Sequence, residues 1–211
     1  MRRHWTALEL VEFESYIAEL FNSGKIKAPV HLSDGSEKDL IEIFQNVSNE
    51  DWVFCSWRSH YQCLLKGVDR EMLTKAIIEG KSIALNFPDY NIYSSAIVGG
   101  QIPIALGVAL SNKLNKIKSK VWCFVGDMTS ETGAMQSALR YASANDLNIQ
   151  FIIEDNGISV LTDTRKTWGS TFLRYEEFPN PRIISFKYKS KYPHAGAGKR
   201  VQFSCLNILM R

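Results

Sequence analysis

The sequence predicts an α/β fold, a three-layer α/β/α arrangement around a mostly parallel central sheet, and two observations carry that reading. Residues 121–156, VWCFVGDMTSETGAMQSALRYASANDLNIQFIIEDN, form a strand-helix-strand pattern: a β-branched and aromatic run ending in Gly126-Asp127, a helix-period segment, then an apolar run ending in Glu154-Asp155-Asn156. A right-handed crossover joins two such strands in parallel and brings both carboxyl ends to one edge, where open α/β sheets bind ligands. The flanking chain, in turn, supplies further helix-period segments and short strand-like runs.

In chain order, Thr6 and Glu9 form a capping box, and Leu10, Phe13, Ile17 and Leu20 recur at helical spacing until Gly24, which predicts an amphipathic helix over residues 7–22. Ser36 and Asp39 resemble a second cap, followed by the stripe Leu40, Ile43, Phe44 and Val47. WVFC at 52–55 is a short strand signal, and residues 69–79 a helix closed by Gly80. In the stretch 94–114 a glycine pair precedes Pro103 at a first helical turn, and Gly107 predicts close packing of that helix against a neighbour. In the central unit Met135, Ala138, Leu139 and Ala142 line one helix face, with Thr129, Ser130 and Glu131 as cap chemistry. RIISFKYKS is strand-like, and YPHAGAG around His194 reads as a mobile loop. The whole reads as one domain over 1–211: a helical segment 1–50, a core 51–160 carrying the motifs, and a loop, strand and tail over 161–211.

Composition excludes several function classes. With 25 Lys and Arg against 22 Asp and Glu the net charge is +3, and no basic block appears, so nucleic-acid binding has little support. The longest apolar stretch, 96–110, is too short to span a bilayer and is broken by Gly99, Gly100 and Pro103. MRRHWTALELVEFE does not have the form of a signal peptide. Cys55, Cys63, Cys123 and Cys205 show no C-x-x-C spacing, so reduced thiols and a cytoplasmic location are expected, without disulfides or a zinc site.

The candidate chemistry lies at strand ends. Asp127 supplies a hard anionic oxygen and Asn156 a neutral amide oxygen, a pairing suited to magnesium held together with a diphosphate. A bare carboxylate would repel phosphate unless a cation lay between them. Arg58 beside Trp57 offers a planar donor fork for a diphosphate, although from these letters alone an ordinary surface arginine is the commoner case. His31 is a lone loop histidine, usually a surface residue, and gains weight only if its loop lies near a site.

Taken together, GDM through EDN, IVGGQIP, WRSH and APVHLSDGSE resemble, in one order over most of residues 10–160, the alpha subunit of the thiamine-diphosphate-dependent decarboxylase component of 2-oxo acid dehydrogenase complexes, pyruvate dehydrogenase type. GDM and EDN resemble that superfamily's Gly-Asp-Gly and later Asn, IVGGQIP its I-V-G-A-Q-V-P segment, and WRSH its Tyr-Arg-x-His. The resemblance implies the diphosphate-binding domain of the thiamine-diphosphate fold. It implies magnesium held by Asp127, Asn156 and the Ile158 carbonyl, and cofactor contacts from Trp57, Arg58, Ala96, Val98, Gly126, Asp127, Met128, Thr129 and Asn156. His31 and His194 match histidines of the family's catalytic apparatus. It further implies a beta-type subunit carrying the pyrimidine-binding domain in an alpha2beta2 heterotetramer, a 2-oxo acid substrate and a lipoyl domain as acyl acceptor.

Three positions depart from the pattern: Met128 for the second glycine, so that the backbone there must accommodate a Cβ, Asp155 for the first asparagine, and Trp57 for tyrosine. The chain is shorter than typical members, and YPHAGAG differs from their His-Gly-His-Ser loop. Two rivals stay open: a transketolase-like carboligase half-site, and a regulatory or assembly subunit that binds no cofactor.

Overall fold

The computed structural model describes residues 2–198; Cys205 and the tail from residue 199 lie outside the described residues. The sheet has the order β2-β3-β1-β4-β5-β8, built from β1 (Trp52–Cys55), β2 (Asn86–Phe87), β3 (Ile92–Ser94), β4 (Val121–Gly126), β5 (Ile149–Asp155) and β8 (Ile183–Lys187). Every pairing is parallel except β2 with β3. A separate antiparallel hairpin joins β6 (Ile158–Ser159) to β7 (Thr162–Asp163).

Strand alternation explains the layers. Val53, Cys55, Trp122, Phe124 and Ile152 point to one face and pack with α1 (Ala7–Asn22), α2 (Glu37–Phe44), α3 (His60–Lys66) and α4 (Arg70–Ile78). Phe54, Val121, Cys123, Val125, Phe151 and Ile153 point to the other, against α5 (Gln101–Leu114) and α7 (Gly133–Ala144). Both faces of the central strands are therefore apolar, as a parallel sheet covered on two sides requires. The shorter helices α6 (Asp127–Ser130), α8 (Thr164–Trp168) and α9 (Arg174–Glu177) lie beyond the strand ends.

The capping box of α1 forms as read: Glu9 N–H donates to Thr6 Oγ1 at 3.2 Å and Thr6 N–H to Glu9 Oε2 at 2.8 Å. Asp69 caps α4. Several expectations are corrected. Ser36 makes no side-chain cap to α2; Glu37 accepts from Gly35 N–H instead, at 2.8 Å, and the helix ends at Phe44, short of Val47. The cap of α7 is Thr132, not residues 129–131, because residues 127–130 wind into their own turn, closed by Ser130 Oγ donating to the Asp127 carbonyl at 2.7 Å. Gly107 faces open space: among the described residues a Cβ there would meet nothing within 4 Å beyond its own helix.

α3 carried no sequence signal because all its residues are buried, which leaves no polar face to set a period. His60 at its start is core: Nδ1 meets both Glu14 oxygens at 3.0 Å, and Nε2 meets Ser82 Oγ at 2.8 Å.

The loop YPHAGAG around His194, read as mobile, is docked together with the residues that lead into it. Lys191 N–H donates to Asp34 Oδ2 at 2.8 Å and Gly196 N–H to the Val30 carbonyl at 2.9 Å. Gly35 permits the approach: its φ is +85°, and a Cβ there would lie 2.3 Å from the Lys189 carbonyl oxygen.

Candidate functional site

The motifs singled out in the sequence sit beyond the carboxyl ends of neighbouring strands. Ala96 and Val98 follow β3, Trp57 and Arg58 follow β1, Asp127 and Met128 follow β4, and Asn156 follows β5. Because β3, β1, β4 and β5 are consecutive in the sheet and run in parallel, four stretches distant in sequence meet at one edge. β8 adds Tyr188, Tyr192 and His194 from the other side.

Together they line a cleft of ≈ 310 Å³ whose walls include Trp57, Arg58, Val98, Gly126, Asp127, Met128, Thr129, Asn156, Ile158 and His194. Ala96 is exposed and does not line it. His31 stands just behind the wall. Its ring centroid is 4.7 Å from that of His194 and 5.8 Å from that of Trp57, and Nδ1 donates to the His194 carbonyl at 2.5 Å. Burial pushes its pKa down to about 4. The ring is thus neutral at pH 7, with Nδ1 protonated and Nε2 left as an acceptor.

The charged groups are unevenly satisfied. Asp127 is buried, and its Oδ2 has no hydrogen-bond partner among the described residues. Burial raises its pKa to about 6, partly opposed by the Thr164 hydroxyl lying against it and reinforced by Asp155. Asn156 Oδ1 accepts from Ile158 N–H at 3.0 Å, closing a tight turn that leaves the second lone pair of the amide oxygen free. Arg58 donates through Nε to the Leu32 carbonyl at 3.0 Å and through a terminal nitrogen to the His194 carbonyl at 3.5 Å, so it ties together two loops beside the cleft. Met128 sits in the helical turn α6 with a negative φ, and its Cβ therefore brings no backbone strain.

Sequence reasoning missed Glu154. It pairs in register with Gly126, lines the cleft, and accepts from Gln62 Nε2 at 2.9 Å. Burial raises its pKa to about 8, against the pull of Arg58 and Gln62. The available signal was a lone acid closing the apolar run IQFII. Tyr188 and Tyr192 had no signal, since their loop reaches the cleft only through the docking described above. Val160, at the tip of the β6–β7 hairpin on the rim, holds φ +58°, an uncommon and strained position for a β-branched residue.

Fold and site define an α/β protein with a cleft at the carboxyl edge of a mostly parallel sheet, where a buried acid, an amide and an arginine converge. The model of the dehydrogenase E1 component family matches residues 6–174, and the chain belongs to that family. It is 30% identical over 165 residues to the alpha subunit of acetoin:2,6-dichlorophenolindophenol oxidoreductase of Bacillus subtilis (strain 168), covering 74% of this chain and 50% of that protein. It is 27% identical over 177 residues to the pyruvate dehydrogenase E1 component subunit alpha of Rickettsia bellii (strain RML369-C), covering 79% and 53%. Among solved structures, a protein described as a putative thiamin diphosphate-dependent enzyme from Mycobacterium smegmatis overlaps with a TM-score of 0.44 at 16% identity, covering 63% of this chain and 22% of that one. The chain spans about half the length of the curated relatives it matches.

Proposed function

We propose that this chain is the diphosphate-binding, alpha-type subunit of a thiamine-diphosphate-dependent enzyme that, with a beta-type subunit, decarboxylates a 2-oxo acid and transfers the acyl group. The observation that carries the reading is Asp127, which lines the cleft together with Asn156 and Arg58 and whose buried carboxylate oxygen Oδ2 has no partner among the described residues. An uncompensated buried carboxylate is costly, and a divalent cation is the partner that fits it. Magnesium would be held by Asp127, Asn156 and the Ile158 carbonyl. Trp57, Arg58, Gly126, Met128 and Thr129 would surround the diphosphate, with Ala96 and Val98 toward the aminopyrimidine ring. When bound, thiamine diphosphate supplies the electron sink that loss of carbon dioxide from a 2-oxo acid requires.

This chain's own residues bind, orient and exclude water. Arg58 adds positive charge beside the diphosphate and ties down the loops of Leu32 and His194. His31, neutral and just behind the cleft wall, would take a proton through Nε2, with His194 beside it on the wall itself. The rim carries exposed Ile97, Val98, Ile158, Val160 and Leu161, an apolar border that supports a partner chain closing the site in an alpha2beta2 assembly. Free, buried Cys55, Cys63 and Cys123 support a reducing, cytoplasmic setting.

The names of the relatives support two substrates: pyruvate for the first reading, and acetoin for a second. Coexpression with a beta-type chain, followed by assays with each compound and 2,6-dichlorophenolindophenol as acceptor, tests both. Dye reduction is expected with one of them, and a lipoyl domain is expected to accept the acyl group if the substrate is pyruvate. A copurified complex that turns over neither compound would overturn the proposal.

A further inference from the structure

The helix α8 touches both halves of the candidate metal site within five residues. Thr164, fully buried, donates its N–H to the Gly157 carbonyl at 3.1 Å. Arg165 forks onto Asp155, with contacts of 2.8 Å to Oδ2 and 3.4 Å to Oδ1, and reaches Glu176 Oε2 at 2.7 Å. Trp168 Nε1 donates to Met128 Sδ at 3.1 Å. One short helix thus grips the turn after β4 through Met128 and the turn after β5 through Asp155 and Gly157. A helix of this length has no stability of its own, so these side-chain contacts hold it in place.

Asp155 is the centre of the grip. It is buried, and besides Arg165 it accepts from Tyr175 Oη at 2.6 Å and from Gly157 N–H at 2.9 Å, the bond that shapes the turn presenting Asn156. Asparagine at 155 could still accept from Gly157 through its one amide oxygen, but it would put an NH2 donor where Oδ2 now accepts from Tyr175 and Arg165, and it would bring no charge to the guanidinium. The aspartate that departs from the family pattern at this position therefore has a dedicated cation, and Glu176, itself held by Lys187 at 2.6 Å, secures that cation from behind.

We propose that Arg165, acting through Asp155, is a positioning residue that fixes the Asn156–Ile158 turn relative to Asp127 so that both can hold one divalent cation. The inference rests on the proposed metal and diphosphate role of this cleft. Groups behind metal ligands set ligand orientation, and their loss typically weakens metal affinity about 10–100-fold.

The test is a titration of Mn²⁺ into the full chain at saturating thiamine diphosphate, followed by electron paramagnetic resonance. In Arg165→Gln the apparent Mn²⁺ affinity is expected to fall on the order of tenfold, with diphosphate binding restored when Mn²⁺ is raised in proportion. Asp155→Asn, closest in shape to the native residue, is expected to behave alike and serves if Arg165→Gln does not fold. Wild-type Mn²⁺ affinity in both variants overturns the inference. A loss that added Mn²⁺ does not restore also overturns it, because the residues would then be serving the fold alone. A wild-type chain that takes up no Mn²⁺ overturns the proposed function itself, whatever the variants do.

Discussion

Asp127→Asn should make the metal-free chain more stable while abolishing its response to magnesium. Burial raises the Asp127 carboxyl from the ordinary 3.8 to about 6. Between those values the folded chain holds a proton that the unfolded chain has released, so stability falls as pH rises from about 4 to about 6 and stays reduced above. At 1.36 kcal/mol per pH unit the ionised carboxylate costs about 3 kcal/mol at neutral pH. Asparagine keeps the shape without the charge, and after allowing for hydrogen bonds that favour the anion, a gain of about 2 kcal/mol is expected. For a chain of this size that raises Tm by about 4–8 °C. The assay is thermal denaturation in a chelating buffer at pH 4 and pH 7.5. The gap between variant and wild type should be small at pH 4 and full at pH 7.5. Magnesium with thiamine diphosphate should then raise the wild-type Tm and leave the variant unmoved. A variant no more stable than wild type at pH 7.5, or one that still responds to magnesium, refutes the reasoning.

Other perturbations have equally specific outcomes. Glu14→Ala leaves His60 Nδ1 and the Ser33 N–H buried without the acceptor they now share, and should cost about 3 kcal/mol in urea denaturation. Val160→Gly relieves a β-branched residue at φ +58° and should raise stability by roughly 1 kcal/mol, provided that strain outweighs glycine's extra freedom in the unfolded chain; calorimetric melting reads the sign. His31→Ala should lower turnover of the assembled enzyme by about 10²-fold if Nε2 takes a proton. His194→Ala should cost less, because the carbonyl of residue 194 makes the bonds to His31 and Arg58 and survives the substitution; equal losses would return the two rings to equal roles.

The legible parts of the fold were those whose signals are local. Thr6 and Glu9 cap α1 as their spacing says, and the unbroken apolar run from Val121 to Val125 places Cys123 in a buried strand. The carboxyl edge was legible as well, because parallel connection forces Asp127 and Asn156 to one side of the sheet. The losses came from long-range contacts. α3 has no polar face, so burial erased the period that would have revealed it. His60, read beside Arg58 as part of one motif, turns inward to Glu14, forty-six residues earlier. Tyr188 and Tyr192 join the cleft because Gly35 and Asp34 receive the returning chain. Asp155, noted only as a departure, acquires its meaning from Arg165, Tyr175 and a hairpin that no local pattern marked.

The central claim is that a carboxylate at the end of β4 holds a divalent cation for a diphosphate. Calorimetric titration of thiamine diphosphate into the chain, with and without magnesium, tests it most directly. Binding by the wild-type chain should require magnesium and should be lost in Asp127→Ala. Binding of equal strength in wild type and Asp127→Ala, or binding indifferent to magnesium, would contradict the account.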